Sequence, residues 1–184
     1  MIQELVAWLN EFPSSVALRE SRYVWPFLES AHVMLLGLFV GTAFVTDLRL
    51  LGWSMKRVPV SELTGRLLPW TRIGFAGMVL TGLLLFYGYP LRYYHNLFFR
   101  VKVILLVLAA INVFVFHRGI HRQVADWDLD PDLPRQAWIA GAVSLSVWSL
   151  IVVVGRMIAY NWFDCTIQPQ PAFVNWFAQC PTGP

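Results

Sequence analysis

Four apolar segments of this chain are each long enough to cross a lipid bilayer. They cover about residues 26–51, 69–89, 96–117 and 136–163. A transmembrane helix needs about 20 predominantly apolar residues, and hydrocarbon admits only helices or closed barrels. The sequence therefore predicts an all-α integral membrane four-helix bundle, with residues 1–163 as one domain and residues 164–184 as a tail.

The composition narrows the classes of partner. Charged residues make up 14% of the 184 residues, whereas soluble domains carry about 25%. The basic residues flank the spans and form no patch, which argues against nucleic acid. We therefore expect the lipid bilayer as partner, together with further copies of this chain or the other subunits of a larger membrane complex.

The basic residues also predict the orientation, because cytoplasmic helix ends carry an excess of Lys and Arg. Eight lie on the first and third loops and the adjoining helix ends: Arg49, Lys56, Arg57, Arg66, Arg72, Arg118, Arg122 and Arg135. Five lie on the opposite side: Arg19, Arg22, Arg92, Arg100 and Lys102. This bias favours both termini, and hence the tail, on the outer side of the membrane.

The segment before the first span has the pattern of a short amphipathic helix. Ile2, Leu5, Leu9 and Phe12 recur at helical spacing, and Pro13 ends the pattern before a second short helix. Such a helix is typical of the membrane interface, although packing on a partner subunit would give the same pattern.

Both cysteines, Cys165 and Cys180, lie in the tail. An oxidising compartment on the outer side permits a disulfide between them. Closing this loop would stabilise the tail by about 3 kcal/mol on the chain-entropy model.

Ionisable residues within the spans are the candidates for function, because each is costly in hydrocarbon unless it is paired or hydrated. In the first span, Glu29, His32 and Asp47 share one helix face, and Gly37 and Gly41 lie on the opposite face. The Gly-x-x-x-Gly spacing lets another helix approach closely.

Depth along the spans sorts the polar residues into two layers. The outer layer comprises Glu29, His32, Tyr87, His95, Lys102, Arg156 and Tyr160. The inner layer comprises Asp47, Arg72, His117 and His121. We expect Asp47 to pair with Arg72, and Glu29 to pair with Arg156 or Lys102.

The outer layer suggests a cofactor site. A b-type haem needs two axial imidazoles, for which His32 and His95 are the candidate iron ligands, and cations for its propionates, for which Lys102 and Arg156 are suited. The same layer could hold a quinone head group, with His32 and Tyr160 as hydrogen-bond partners. The expected function is thus a small electron-transfer subunit binding haem b or quinone. The alternatives are a cofactor-free structural or accessory subunit and a small transporter component.

The inner end of the third span offers a weaker metal pattern. His117 and His121 stand at i and i+4, and acidic residues follow at alternating positions from Asp126 to Asp132. A metal site needs further ligands, and the segment lacks the glycine and distal glutamate of a calcium loop. Interfacial histidines and a solvated acidic turn explain the pattern more simply.

Several runs together resemble an uncharacterised family of small bacterial four-helix membrane proteins. They are Glu29-Ser30-Ala31-His32, Gly37, Gly41, Asp47-Leu48-Arg49-Leu50-Leu51-Gly52, Asn96-Leu97-Phe98-Phe99-Arg100-Val101-Lys102, Asn112 and Phe116-His117-Arg118. The resemblance spans most of the four-helix region but not the tail. It implies the bacterial inner membrane, and with it periplasmic termini, but no activity.

Overall fold

The computed structural model describes residues 1–120, 124–128, 133–160, 162–163, 165 and 170–180. Regular structure within these ranges is helical, without strands. The α-helices are α1 (Ile2–Glu11), α2 (Pro13–Glu20), α3 (Val24–Leu50), α4 (Val60–Gly88), α5 (Pro90–Tyr94), α6 (Leu97–Val115), α7 (Val124–Trp127), α8 (Arg135–Met157) and α9 (Ala172–Ala178). A π-helical turn, Phe116–Ile120, extends α6, and a 3-10 turn, Ile158–Tyr160, extends α8.

Four of these helices are long and apolar enough to cross a membrane: Val24–Leu50, Val60–Gly88, Leu97–Gly119 and Arg135–Tyr160. Large apolar side chains such as Met34, Leu83 and Ile104 are exposed on them by 76%, 62% and 51%. In water such exposure would be unfavourable, whereas lipid covers it without cost. The prediction of an all-α membrane helix bundle is confirmed.

The second membrane-spanning helix begins well before the apolar segment from which it was predicted. α4 begins at Val60 and continues through Pro69, where the apolar segment starts. Proline removes one backbone donor and crowds the carbonyl four residues earlier; here that residue is Gly65, which has open space around it. The first turns of α4 are polar, so hydrophobicity alone does not predict that the helix begins at Val60.

The N-terminal segment forms two helices that meet at Pro13, as the spacing indicates. Pro13 is the first residue of α2. Ser14 and Ser15 do not cap that helix but bond to α4, through the hydroxyl and the carbonyl of Tyr87. In α1, Val6 is buried, whereas Ile2, Leu5 and Trp8 are exposed.

The chain divides into two compact units, and the spans contribute to both. The first contains the described residues of Met1–His32, Val79–Ile104 and Ile151–Pro184, and the second contains those of Val33–Met78 and Leu105–Leu150. The core of the second unit consists of Leu50, Val60, Phe116, Trp127, Ala137 and Ala140.

Close approach of α3 and α4 in the second unit depends on glycines of α4. A Cβ atom built on Gly74 would lie 2.9 Å from the backbone nitrogen of Phe39, and one on Gly77 would lie 2.7 Å from the side chain of Leu35. By contrast, Cβ atoms on Gly37 and Gly41 would meet open space. Among the residues that the structure describes, no helix therefore packs closely on the Gly-x-x-x-Gly pair of α3.

In the first unit, the tail is joined to the start of α6. Cys165 and Cys180 form a disulfide with a sulfur–sulfur distance of 2.06 Å, and this bond flanks α9. The side chain of Arg100 donates hydrogen bonds to the tail through the carbonyl of Phe177 and the amide oxygen of Gln179.

Candidate functional site

The first unit holds a histidine in a defined orientation. His32 is half-buried on α3, and its Nδ1 lies 2.7 Å from the Oγ1 of Thr81 on α4. Thr81 is 8% exposed. A Cβ atom on the adjacent Gly82 would lie 3.4 Å from the imidazole Cε1, so the glycine leaves room for the ring. An imidazole held through Nδ1 presents Nε2 to a ligand.

Lys102 of α6 is the second ionisable residue near this site. Its half-buried side chain lies close enough to His32 for the two to interact electrostatically. On the α8 side, a Cβ atom on Gly155 would lie 3.7 Å from the ammonium Nζ. We name His32, Thr81 and Lys102 the His32–Lys102 cluster.

The cluster lacks the predicted acidic partner. Glu29 is exposed, and the ion pairs among the described residues join the N-terminus to Glu4 and Arg66 to Glu62. The expected pairing of Glu29 with Arg156 or Lys102 is therefore not formed. Glu29 lies about one turn from His32 along α3, and this position made it the expected partner of Lys102. Its carboxylate is instead on the exposed surface.

Glu29 interacts electrostatically with Tyr93 of α5. Burial raises the pKa of the Tyr93 phenol, Arg92 opposes the rise, and the charge of Glu29 together with Tyr89 adds to it. The acid is therefore near the helix ends that surround Tyr93.

Arg156 and Tyr160 are both exposed and interact with each other. The Arg156 guanidinium lies 5.1 Å from the centre of the Tyr160 ring and 3.4 Å from its hydroxyl. This pair follows from i, i+4 spacing at the end of α8. The geometry of the pair gives no support for placing either residue against the His32–Lys102 cluster.

His95 lies just before α6 and contacts the tail. Its Nδ1 is 3.3 Å from the carbonyl oxygen of Ala178, and its own carbonyl oxygen is 3.3 Å from the Sγ of Cys165. His32 and His95 are thus each held through Nδ1, but by different elements. Sequence spacing did not reveal that the disulfide-bonded tail would reach the second histidine.

The inner-layer residues form other contacts. Asp47 is 5% exposed and is hydrogen-bonded by Ser144 of α8, while its Oδ2 has no hydrogen-bond partner. Arg72 is exposed, so the predicted Asp47–Arg72 pair is absent. Arg72 can reach the polar surface of the membrane from its position near the end of the apolar run.

In the described parts of the chain, no three His, Cys, Asp or Glu side chains group together as metal ligands. His117 is exposed, and its Nδ1 donates a hydrogen bond of 3.0 Å to the carbonyl of Val113 in its own helix. His121, Asp130 and Asp132 lie outside the described residues.

Sequence reasoning missed two members of the site on α4. Thr81 and Gly82 stand in an apolar run, where a hydroxyl needs a partner, and they face His32. The signal was present in the sequence: Thr81 is a polar residue near the outer end of the second span, at the depth of His32.

The cluster combines an ammonium group, an imidazole nitrogen and an apolar surrounding. Such a site can donate hydrogen bonds to carbonyl or anionic oxygens, and low dielectric strengthens these bonds. An imidazole and an ammonium group can also take up and release protons, so the chemistry that the cluster offers includes binding and proton exchange.

Comparison with known proteins gives a family but no activity. No curated protein and no solved structure matches the chain. The model of a family of unknown function, DUF6644, matches residues 22–161, which comprise the four spans and leave out α1, α2 and α9. This match confirms the resemblance to an uncharacterised family. The chain belongs to the DUF6644 family.

Proposed function

We propose that the His32–Lys102 cluster binds the head group of a quinone, and that the protein is a small electron-transfer subunit of the bacterial inner membrane. One observation carries this proposal. The Lys102 ammonium lies within electrostatic range of the His32 imidazole in a membrane-spanning helix bundle, and no carboxylate of the described residues pairs with either. Leaving Lys102 without an anion in hydrocarbon is costly, and a ligand with oxygen acceptors removes that cost.

A quinone suits these donors. Its head group carries two carbonyl oxygens, and its isoprenoid tail dissolves in the lipid that already surrounds the spans. The Lys102 ammonium would donate to one oxygen, and His32, fixed by Thr81, would bond to the other through Nε2. Positive charge also favours the reduced, more electron-rich head group, which is what a site of electron transfer requires. The redox partner would belong to the larger membrane complex.

Haem b is the second candidate, and it rests on a different observation. Both His32 and His95 are held through Nδ1, the arrangement that leaves Nε2 for iron. The quinone ranks first because His95 lies before α6 begins, whereas Lys102, which interacts with His32, lies in the second turn of that helix. One haem would need the two imidazoles at the same depth.

The quinone proposal can be tested on protein purified in its native lipid. Organic extraction followed by chromatography should recover about one quinone per chain. Lys102→Met, which keeps the length of the side chain and removes its charge, should lower the recovered quinone at least tenfold. Lys56→Met is the matched control, because Lys56 is the other lysine of the chain and is exposed in a loop. Wild-type protein without quinone, or retention by Lys102→Met, would contradict the proposal.

An absorption spectrum separates haem from quinone. Reduction with dithionite should give no sharp alpha band if the site holds a quinone. If a band appears, His32→Gln should abolish it and His117→Gln should leave it, because an amide is a poor axial base for iron. A preparation without haem or quinone would favour the structural or transport alternatives.

A further inference from the structure

A groove opens in the first unit between the start of α6 and α9. Its volume is about 470 Å³. The residues that line it are Tyr94, Phe99, Arg100, Val103, Ile104, Trp176, Phe177 and Gln179. This set contains one cation and no acid, so the charge of the groove is positive.

Arg100 is the polar end of the groove, and it keeps free hydrogen-bond donors. Its Nε donates to the carbonyl of Tyr94, and its two terminal nitrogens each donate one bond to the tail. A guanidinium has five N–H groups, so two remain for a ligand. The same guanidinium lies 4.8 Å from the centre of the Tyr94 ring, and no acidic side chain among the described residues forms an ion pair with it.

The rest of the groove is apolar and continues along the membrane-spanning helix. Val103 and Ile104 lie one turn further into α6 than Arg100 and are 43% and 51% exposed. Trp176 of α9 is 74% exposed on the other wall. A cation at the helix end above an apolar trough has the layout of one phospholipid, with the phosphate at the interface and the acyl chain in hydrocarbon.

The wall formed by α9 is held in place from three directions. The disulfide flanks the helix, Arg100 binds the carbonyl of Phe177 at 2.7 Å, and the hydroxyl of Tyr94 donates to the side chain of Gln179. Trp176 and Phe173 also form an aromatic surface with Phe177. Aromatic side chains of this kind settle at the level of the lipid head groups.

We propose that this groove binds an anionic phospholipid, with its phosphate on Arg100 and one acyl chain along Val103, Ile104 and Trp176. Charge complementarity selects the occupant, because the lining offers a guanidinium for a phosphate and nothing acidic to repel it. Arginine recognises phosphate through paired N–H groups. The site is separate from the His32–Lys102 cluster and does not depend on a quinone.

Native mass spectrometry of detergent-solubilised protein tests the proposal, with phosphatidylglycerol and phosphatidylcholine of identical acyl chains as probes. Wild-type protein should retain one phosphatidylglycerol with at least a tenfold preference over phosphatidylcholine. Arg100→Gln should reduce that preference to about one. Arg118→Gln is the matched control, since Arg118 stacks over Phe114 at the opposite end of α6, and it should keep the preference. Equal binding of both lipids by the wild type would overturn the proposal.

A second variant separates loss of the site from loss of the fold. Val103→Trp fills the apolar trough from a half-exposed position and leaves Arg100 and its tail contacts in place. It should abolish retention of both lipids while the helical circular dichroism stays unchanged. Retention of phosphatidylglycerol by a folded Val103→Trp would overturn the proposal.

Two other ligands test what the groove binds. Binding of inorganic phosphate as tight as that of the lipid would show an anion site without an acyl chain, and Arg100-dependent displacement by a quinone would assign the groove to quinone. Either result would also overturn the proposal.

Discussion

The imidazole of His32 is joined to the hydroxyl of Thr81 by a hydrogen bond of 2.7 Å between α3 and α4. Hydrogen bonds between membrane helices contribute about 0.6 kcal/mol on average and up to about 1.7 kcal/mol. This one matters beyond its energy, because it engages Nδ1 of His32 and so leaves Nε2 as the ring nitrogen for a ligand.

Replacing Thr81 tests that bond. Thr81→Val keeps the shape and removes the hydroxyl, so we expect the free energy of unfolding to fall by about 1 kcal/mol and the quinone affinity to fall as His32 loses its orientation. Thr81→Ser keeps a hydroxyl and should retain both. Unfolding of helical circular dichroism in mixed micelles, together with quinone recovery, measures the two effects. A Thr81→Val protein with wild-type affinity would show that Thr81 does not orient His32.

Glycines of α4 and α3 should respond oppositely to alanine. Gly74→Ala places a methyl group 2.9 Å from the backbone of Phe39, and overpacking of this kind costs about 1–3 kcal/mol. Gly37→Ala and Gly41→Ala meet open space and should stabilise the helix by up to about 1 kcal/mol. Thermal unfolding of the three variants decides the matter. Destabilisation by Gly37→Ala would indicate that another chain packs on that face.

The carboxyl of Asp128 should make stability depend on pH. It accepts a hydrogen bond from the backbone of Ser61 at 2.9 Å and another from the Ser61 hydroxyl, at the beginning of α4. Burial acts to raise the pKa of Asp128, but the bonds to Ser61 and Val60 and the charge of Arg49 outweigh it and lower the pKa below 3.8. The contribution of Asp128 is therefore present above the unfolded pKa and is lost as pH falls through the lower folded pKa.

Removing that carboxyl checks the same contact at neutral pH. Asp128→Ala should lower the free energy of unfolding by about 1 kcal/mol, as loss of a helix cap does, whereas Asp128→Asn keeps an acceptor and should cost less. The difference between wild type and Asp128→Ala should shrink between pH 4 and the acid limit of the fold. A difference that stays constant with pH would exclude a role for the charge.

Asp47 and Arg72 should behave independently. Because Asp47 is hydrogen-bonded by Ser144 and Arg72 is exposed, the effects of Asp47→Ala and Arg72→Ala on unfolding should add within about 0.5 kcal/mol. Asp47→Asn removes the charge and keeps the size, so it should be tolerated. A coupling energy above about 1 kcal/mol in the double-mutant cycle would restore the predicted ion pair.

The orientation of the tail can be measured with the cysteines it contains. We expect Cys165 and Cys180 to be labelled in intact cells by an impermeant thiol reagent, but only after reduction, because both are consumed in the disulfide. Labelling that requires permeabilised membranes would place the tail in the cytoplasm and reverse the positive-inside prediction.

Span number and fold class could be predicted from the sequence because hydrophobicity and length are local properties. Helix faces could be predicted in part: Lys102 lies within electrostatic range of His32. What failed was pairing. A carboxylate three residues from His32 looks like a partner for Lys102, yet Glu29 is exposed. The periodicity of a single sequence predicts which side of each helix is polar. It does not predict how each helix is rotated about its own axis relative to the neighbouring helices.

Long-range contacts of the tail were beyond sequence reasoning for a different reason. The bond from His95 to Ala178 joins residues 83 positions apart, and no periodicity relates a loop histidine to a helix carbonyl. Likewise, Asp128 caps α4 across 67 positions. We expected the acidic segment to be a solvated turn. One of its residues, Asp128, also binds the N-terminal end of α4, which begins before the apolar run of the second span.

The 79 positions between Arg100 and Gln179 impose an order of events during synthesis. At about 5–20 residues per second, the ribosome needs roughly 4–16 seconds to go from one to the other. By the end of this interval α6 has left the ribosome, whereas the tail that supplies two acceptors to its arginine has only just been made. Arg100 therefore enters the membrane before its partners in the tail exist. If the groove binds a phospholipid as proposed, the nascent chain can take up that lipid before α9 completes the second wall of the groove.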